Sequence, residues 1–489
     1  VAIGFEALST EDEHGNNVAV GYQAYKVANA GASGNNVGVG YQAALASTTA
    51  TQNTLVGSLA GAALTEGSQN IAIGYAALDA DTLGGRSVAI GRLALSAQNQ
   101  TTSVSTYNVA IGYDAGDSIT TGVSNVLIGG LTGDSLTDAD FNTVMGYAAL
   151  STDTLGSKST AIGYAALNTQ NFTTATASYN TAVGHEAGTA VTTGIHNTLI
   201  GANAGDALTD ADTNVAVGSA ALTSDTKGSK NTAVGHSALE AQNFTTATTS
   251  YNTAIGSDAG KAISTGVKNT LIGSSAGDAL TTGSENVSLG YGSLSADDLG
   301  SHSVAIGASA LASQDYATAT NSFNTAVGSF AGYAITTGVQ NTLIGRAAGD
   351  ALTTANSNVS VGHNSLSTNT AAHRNTAIGE NALAAFNVTT STNTYNTAVG
   401  YSAGVDLTTG IQNTLIGGLA GDALTDADNN IAIGYGALSN DTLGSTSIGI
   451  GVLALTEQNF TTAADTYNIA IGFRAGEKVS TGINNTLIG

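Results

Sequence analysis

The feature that most constrains the fold of this chain is a five-residue phrase, Asn-Thr-Ala-Ile-Gly and its variants, that returns with a fixed period. Its closing glycines (Gly4, Gly21, Gly40, Gly57, Gly74, Gly91, Gly112, Gly129 and onward to Gly489) number 28. They stand 17 residues apart, but every fourth step, such as Gly91 to Gly112, Gly163 to Gly184 or Gly451 to Gly472, is 21, so that a set of four spans 72. Gly21 to Gly40, at 19, is the one irregular step. From Gly112 onward the residue four places after the marker alternates without exception. It is Gly in the first two units of a set (Gly116, Gly133) and Leu in the next two (Leu150, Leu167). Such regularity implies that equivalent positions lie against one another, as stacked coils do.

Thr, Val, Ile and Leu fill the marker phrase and Asn and Gly bound it, which reads as a short strand. Helix is the weaker reading, because a Gly in every unit would cost roughly 1 kcal/mol each in a helix interior. A second short strand is expected in the other half of the unit, in Asp117 to Ser124, Thr189 to His196 and Lys261 to Lys268. The spacing therefore predicts an all-β chain, a parallel β-solenoid or β-roll of about 28 coils with a 21-residue coil every fourth. One strand spacing per coil, about 4.8 Å, would give a rod on the order of 130 Å long. Residues 1–489 form a single continuous repeat region, and its edges in mid-phrase suggest a segment of a longer protein without its end caps.

The marker glycines, among them Gly184, Gly201, Gly256 and Gly273, allow positive φ or a close backbone approach at a corner. Of the 27 complete phrases, 23 begin with Asn and four with Ser. Residues such as Asn180, Asn197, Asn252 and Asn269 are expected to form a structural ladder of stacked amides. Successive strand side chains point to opposite faces, yet both faces are apolar or small, as in Thr198-Leu199-Ile200. A 17-residue coil has an interior for only one of them. The other is expected on a neighbouring chain, in an obligate oligomer, with three chains favoured because three thin rolls can close a common core.

Composition narrows the partners. With 12 Lys plus Arg against 35 Asp plus Glu, a net charge of −23, no nucleic-acid groove is expected. No apolar stretch approaches the length of a membrane span, so no membrane insertion is expected here. The absence of Cys excludes disulfides and thiolate metal sites.

Phrases of the type NTAIG, SVAIG and NVAIG, each followed by a small-residue turn, resemble the head repeats of trimeric autotransporter adhesins. Ser159-Thr-Ala-Ile-Gly-Tyr-Ala-Ala-Leu167 is also similar to repeats of bacteriophage tail fibres. The resemblance covers the whole chain. It implies a left-handed roll wound as a homotrimer, located outside the cell on a cell surface or a virion.

Chemistry is harder to find. The seven His residues (His14, His185, His196, His236, His302, His363, His373) are scattered, and none recurs beside a consistent Ser and Asp. No enzyme and no cofactor are expected. Calcium is the one metal with a candidate site. Three turns place Asp-x-Asp-x-Asn in sequence, at Asp138, Asp140; Asp210, Asp212; and Asp426, Asp428, with oxygen ligands of the kind Ca²⁺ takes. The alternative is a solvated acidic turn. In the 21-residue coils an aromatic recurs beside Thr (Phe172, Phe244, Tyr316, Phe460). These rings either fold back to cover the roll or form an exposed, repeated contact patch. Asn-Phe-Thr and Asn-Val-Thr in the same loops are formal glycosylation sequons.

These signs describe a non-enzymatic extracellular structural fibre: a trimeric shaft or stalk of a surface adhesin or phage tail fibre that presents or provides attachment. Its partners would be itself, lateral fibre contacts, or a cell-surface receptor or glycan. The alternative is a repeat-surface binding module for glycan, calcium or ice, using rows such as Thr192-Thr193, Thr336-Thr337 and Thr408-Thr409, which recur in one coil of four.

Overall fold

The computed structural model describes residues 1–11, 15–29 and 34–489, which divide into two compact units, Val1–Ser250 and Tyr251–Gly489. Each unit is built from the marker phrases. In the first they form strands from Ala2–Ile3 and Val18–Val20 to Thr198–Ile200, Val215–Val217 and Thr232–Val234. In the second they run from Thr253–Ile255 to Thr486–Ile488. Within a unit each strand pairs in parallel with the next and in strict register, Thr181, Ala182 and Val183 facing Thr198, Leu199 and Ile200. The register survives the longer coil, where Thr160 faces Thr181. Both units are parallel β-solenoids, as the spacing predicts, and no helix occurs among the described residues. None is therefore long and apolar enough to cross a membrane.

The strand's middle residue points inward: Ala182 and Leu199 are fully buried. The Gly and Leu alternation follows from how each coil fills its interior. In the coil of Gly116 the filler is Ile119, three residues on, and a methyl group on Gly116 would sit 2.7 Å from Leu127 Cδ1. In the coil of Leu150 the leucine itself fills the centre, and the residue three places on is Asp153. Both positions have positive φ, 58° at Gly116 and 49° at Leu150, so Leu is accepted there for its bulk despite the backbone cost.

The marker glycine has a different constraint. At Gly201 φ is 136°, and a methyl group would lie 2.4 Å from the Gly218 carbonyl oxygen of the next coil. The ladder asparagine beside it locks the stack. The Asn197 amide donates to Asn180 Oδ1 (2.9 Å), and Asn197 Nδ2 donates to the Ala211 carbonyl (2.8 Å). Asn180, Asn197, Asn252 and Asn269 are all buried.

The expected second strand does not form. Asp117 to Ser124, Thr189 to His196 and Lys261 to Lys268 are turns and bends. Their ladder is broken because a backbone amide is taken by a side-chain oxygen of the next coil instead of a carbonyl: Val123 by Asp140 Oδ1 (2.7 Å), Ile195 by Asp212 Oδ1 (2.8 Å) and Val267 by Ser284 Oγ (3.0 Å). A two-residue second strand appears only at the 21-residue coil, as in Gly156–Ser157 against Thr176–Ala177.

Candidate functional site

Three surfaces carry the candidate residues. The first is the outward face of the marker strands. Ile200, 38% exposed, Leu289, 45%, and Ile344, 40%, leave apolar side chains half in water, and Tyr147, Tyr164 and Tyr291 extend the same face just beyond the marker glycine. The tyrosines stack from coil to coil, with ring centroids 5.9 Å apart for Tyr147 and Tyr164, and His185 continues that stack at 5.0 Å. One chain thus buries the inner face of its strands and leaves the outer face open.

The second surface is the insert of the longer coil. Phe172, Phe244, Tyr316 and Phe460 are only 6%, 7%, 4% and 9% exposed, which removes them as an exposed contact patch. Extra residues in a tight coil bulge outward, but the ring beneath the bulge is drawn in to cover the coil interior. The Tyr316 hydroxyl donates to the Gly338 carbonyl (2.8 Å), and burial pushes its pKa up. The insert presents Thr173 and Thr174 to solvent instead.

Under this insert lies a cluster that sequence reading missed. Asp81, Asp153, Asp225, Asp297 and Asp441 are fully buried, each beside a buried glutamine 17 residues on. Gln170 Nε2 donates to Asp153 Oδ2 (2.6 Å), and the Gly156 and Phe172 amides donate to Oδ1 (both 3.0 Å). Gln170 cannot turn its amide over, because its Oε1 accepts from Asn180 Nδ2 (2.8 Å). Burial pushes the carboxyls of Asp81, Asp153 and Asp225 up, and that of Asp297 to about 6. One set dispenses with the charge, placing Asn369 and Phe386, both fully buried, at the equivalent positions. The signal was present as an Asp recurring every 72 residues three before a Gly, with Gln one coil later.

The third surface is the acidic turns. Asp140, Asp212 and Asp428 each accept a backbone amide of the preceding coil, at 2.7, 2.8 and 2.7 Å. Asp138 and Asp426 accept from the Thr121 and Thr409 hydroxyls, both at 2.5 Å, and Asp210 faces Lys227 Nζ at 3.6 Å. The carboxylates link coils to one another, and among the described residues no three acidic or histidine side chains converge on a point that could hold a metal.

The threonine rows are longer than the doublets in the sequence suggest. Thr120, Thr137 and Thr154 align in consecutive coils, and each hydroxyl donates to a carbonyl of the next coil (3.3, 3.0 and 2.9 Å). Among the histidines, His373 Nε2 is 2.7 Å from Ser391 Oγ, but its Nδ1 accepts the Asn356 amide (2.8 Å), so no carboxylate orients the ring as a triad requires. His14 lies outside the described residues.

Fold and surfaces together define a class, a β-solenoid repeat protein whose strands leave an apolar outer face open. No protein-family model matches the chain, and no curated protein is significantly similar to it.

Proposed function

We propose that this chain is a shaft segment of a non-enzymatic extracellular fibre, assembled as a homotrimer, which presents or provides attachment to a host or surface in the manner of a surface adhesin or a phage tail fibre. The observation that carries the reading is the outer strand face. Ile200, Leu289, Ile344 and their equivalents recur at every coil, so within each unit the exposed apolar strip lengthens with the number of coils instead of ending in a local patch. Contiguous apolar surface of this kind marks an association site. A face that repeats along the chain suits a copy of itself, whose strip has the same period.

Light scattering on the purified chain tests this, with a trimer expected. Replacing Ile200 by Asp places a charge in the proposed interface, while Ile200 is exposed enough in one chain for the coil itself to tolerate it. The expected product is a folded monomer. A wild-type chain that is monomeric and soluble overturns the proposal.

A further inference from the structure

One column of the coil surface holds charge that neither the core nor the outer strand face uses. It is the position just before the ladder Asn or Ser, where the backbone is left-handed (φ 62° at Lys158, 50° at Tyr179). Across five of the six 21-residue coils this position carries a basic side chain and then an aromatic: Arg86 and Tyr107, Lys158 and Tyr179, Lys230 and Tyr251, His302 and Phe323, Arg374 and Tyr395. Thr446 before Tyr467 departs from the pattern. Five of only 12 Lys plus Arg stand in this column, in a chain of 35 acidic residues. Four of the five flank 21-residue coils, and the fifth, Lys268, pairs with Glu285 of the same column (2.9 Å), which also faces His302 Nε2 (3.1 Å).

Three of the pairs are built alike. Lys158 Nζ lies 5.1 Å from the Tyr179 ring centroid and donates to its hydroxyl (3.1 Å). Arg374 lies 5.7 Å from the Tyr395 centroid and donates to that hydroxyl (2.8 Å). Arg86 sits 5.5 Å from the Tyr107 centroid, bonds its hydroxyl, and donates to Gln69 Oε1 (2.8 Å). None of the three is within ion-pairing distance of a carboxylate among the described residues. Ammonium and guanidinium groups have three and five donors, so each retains donors for a ligand while the ring fixes its position.

A shallow groove opens beside the column. At Lys158 it has a volume of about 270 Å³ and is lined by Phe141, Ser157 and Thr176 as well as Asp140. One set earlier the corresponding groove, about 180 Å³, is lined by Gln69, Arg86 and Ser105 and, like the first, by one carboxylate, Glu66. A fixed cation, a half-exposed ring and hydroxyls around a small open groove suit one charged sugar unit better than an apolar ligand, which needs an enclosed pocket of ~300 Å³ or more.

We infer that the Arg86, Lys158 and Arg374 pairs are docking points for an acidic polysaccharide, each taking one uronate carboxylate, with Arg86 and Lys158 on the order of 19 Å apart at four coils per set. The inference goes beyond the fibre reading and does not require the trimer. One exposed ion pair of this type is weak, so a polymer that engages several pairs is needed for measurable affinity. The chain's net charge of −23 repels a polyanion at long range, but at physiological ionic strength that field is screened beyond ~8 Å. The local cation then decides the contact.

The test is retention of the full chain on immobilised polygalacturonate against neutral dextran at physiological salt. Wild type is expected to be retained on polygalacturonate only, and galacturonate monomer should not displace it. The triple variant Arg86→Gln, Lys158→Gln, Arg374→Gln should lose tenfold or more in affinity with melting temperature and mass unchanged, and Lys158→Arg should keep binding. Equal retention of wild type and triple variant, or no retention of wild type, overturns the inference. So does a triple variant whose only change is a lower melting temperature, which would make the pairs staples across the insert. A changed oligomeric state in that variant would make them contacts between copies and overturn it equally.

Discussion

Asn180 Oδ1 accepts the backbone amide of Asn197 at 2.9 Å, across 17 residues of chain and one coil of the stack. Asn197 Oδ1 does the same for Asn214 (2.9 Å), while its Nδ2 satisfies the Ala211 carbonyl. Each ladder side chain thus bonds the following coil twice, while its own backbone amide is held by the ladder Asn before it, and both of its polar ends are buried.

Replacing Asn197 by Ala should therefore strand more than one group. The Asn214 amide and the Ala211 carbonyl both lose a partner away from water, at ~1–3 kcal/mol each. We expect a loss of about 3 kcal/mol, read as a lower melting temperature together with faster amide hydrogen exchange around Asn214. An unchanged melt would show that the ladder is decorative.

The ladder was legible in sequence because it is strictly periodic and chemically uniform, and so was the strand register that depends on it. The second strand was not. Thr189 to His196 has strand-like residues, but the Ile195 amide goes to Asp212 Oδ1, a partner that only the stacked neighbour reveals. The four ladder serines were visible as exceptions without a cause. Ser159 stands next to an insert that brings in Ser178 Oγ at 2.6 Å and Gln170 Nε2 at 2.9 Å, so a shorter side chain is served there. Phe172 admits two readings in the sequence, because sequence alone does not tell which way a bulge turns its ring.

Phe172→Ala removes a ring that is 6% exposed and leaves a cavity under the insert. A loss of about 3 kcal/mol is expected, as for other buried aromatics. Assembly and surface attachment should not change, since the ring does not reach solvent. A variant with wild-type melting but impaired attachment would restore the contact-patch reading.

The acidic turns give a paired test. Asp212→Asn keeps an oxygen for the Ile195 amide, so stability should move by less than about 1 kcal/mol, whereas Asp212→Ala leaves that amide unpaired and should cost ~1–2 kcal/mol. A chelator should leave the melting temperature of the wild type where it is. A drop on adding chelator, recovered with Ca²⁺, would return the turns to the list of metal sites.

The buried carboxylates make the remaining prediction, and its sign runs against the usual behaviour of surface acids. The Asp297 carboxyl accepts from Gln314 Nε2 (2.6 Å) and the Gly300 amide (2.8 Å), which favour its ionised form, yet burial outweighs them and lifts its pKa from 3.8 to about 6. A group with a raised folded pKa binds its proton more tightly when folded. Its contribution is therefore most favourable below the unfolded value and is lost as pH rises through about 6. Burial shifts Asp81, Asp153 and Asp225 in the same direction. At ~1.4 kcal/mol per pKa unit the Asp297 site is worth about 3 kcal/mol across that window. The melting temperature should be higher at pH 5 than at pH 7. The chain supplies its own control in the set with Asn369, Phe386, Asn375 and Val388. Transplanting these residues as Asp297→Asn, Gln314→Phe, Ser303→Asn and Tyr316→Val should reduce the pH dependence by that site's share and raise stability at pH 7. Asp297→Asn alone should not stabilise, because its new amide would face Gln314 Nε2, donor against donor. A melting temperature that climbs from pH 5 to pH 7 would refute the assignment.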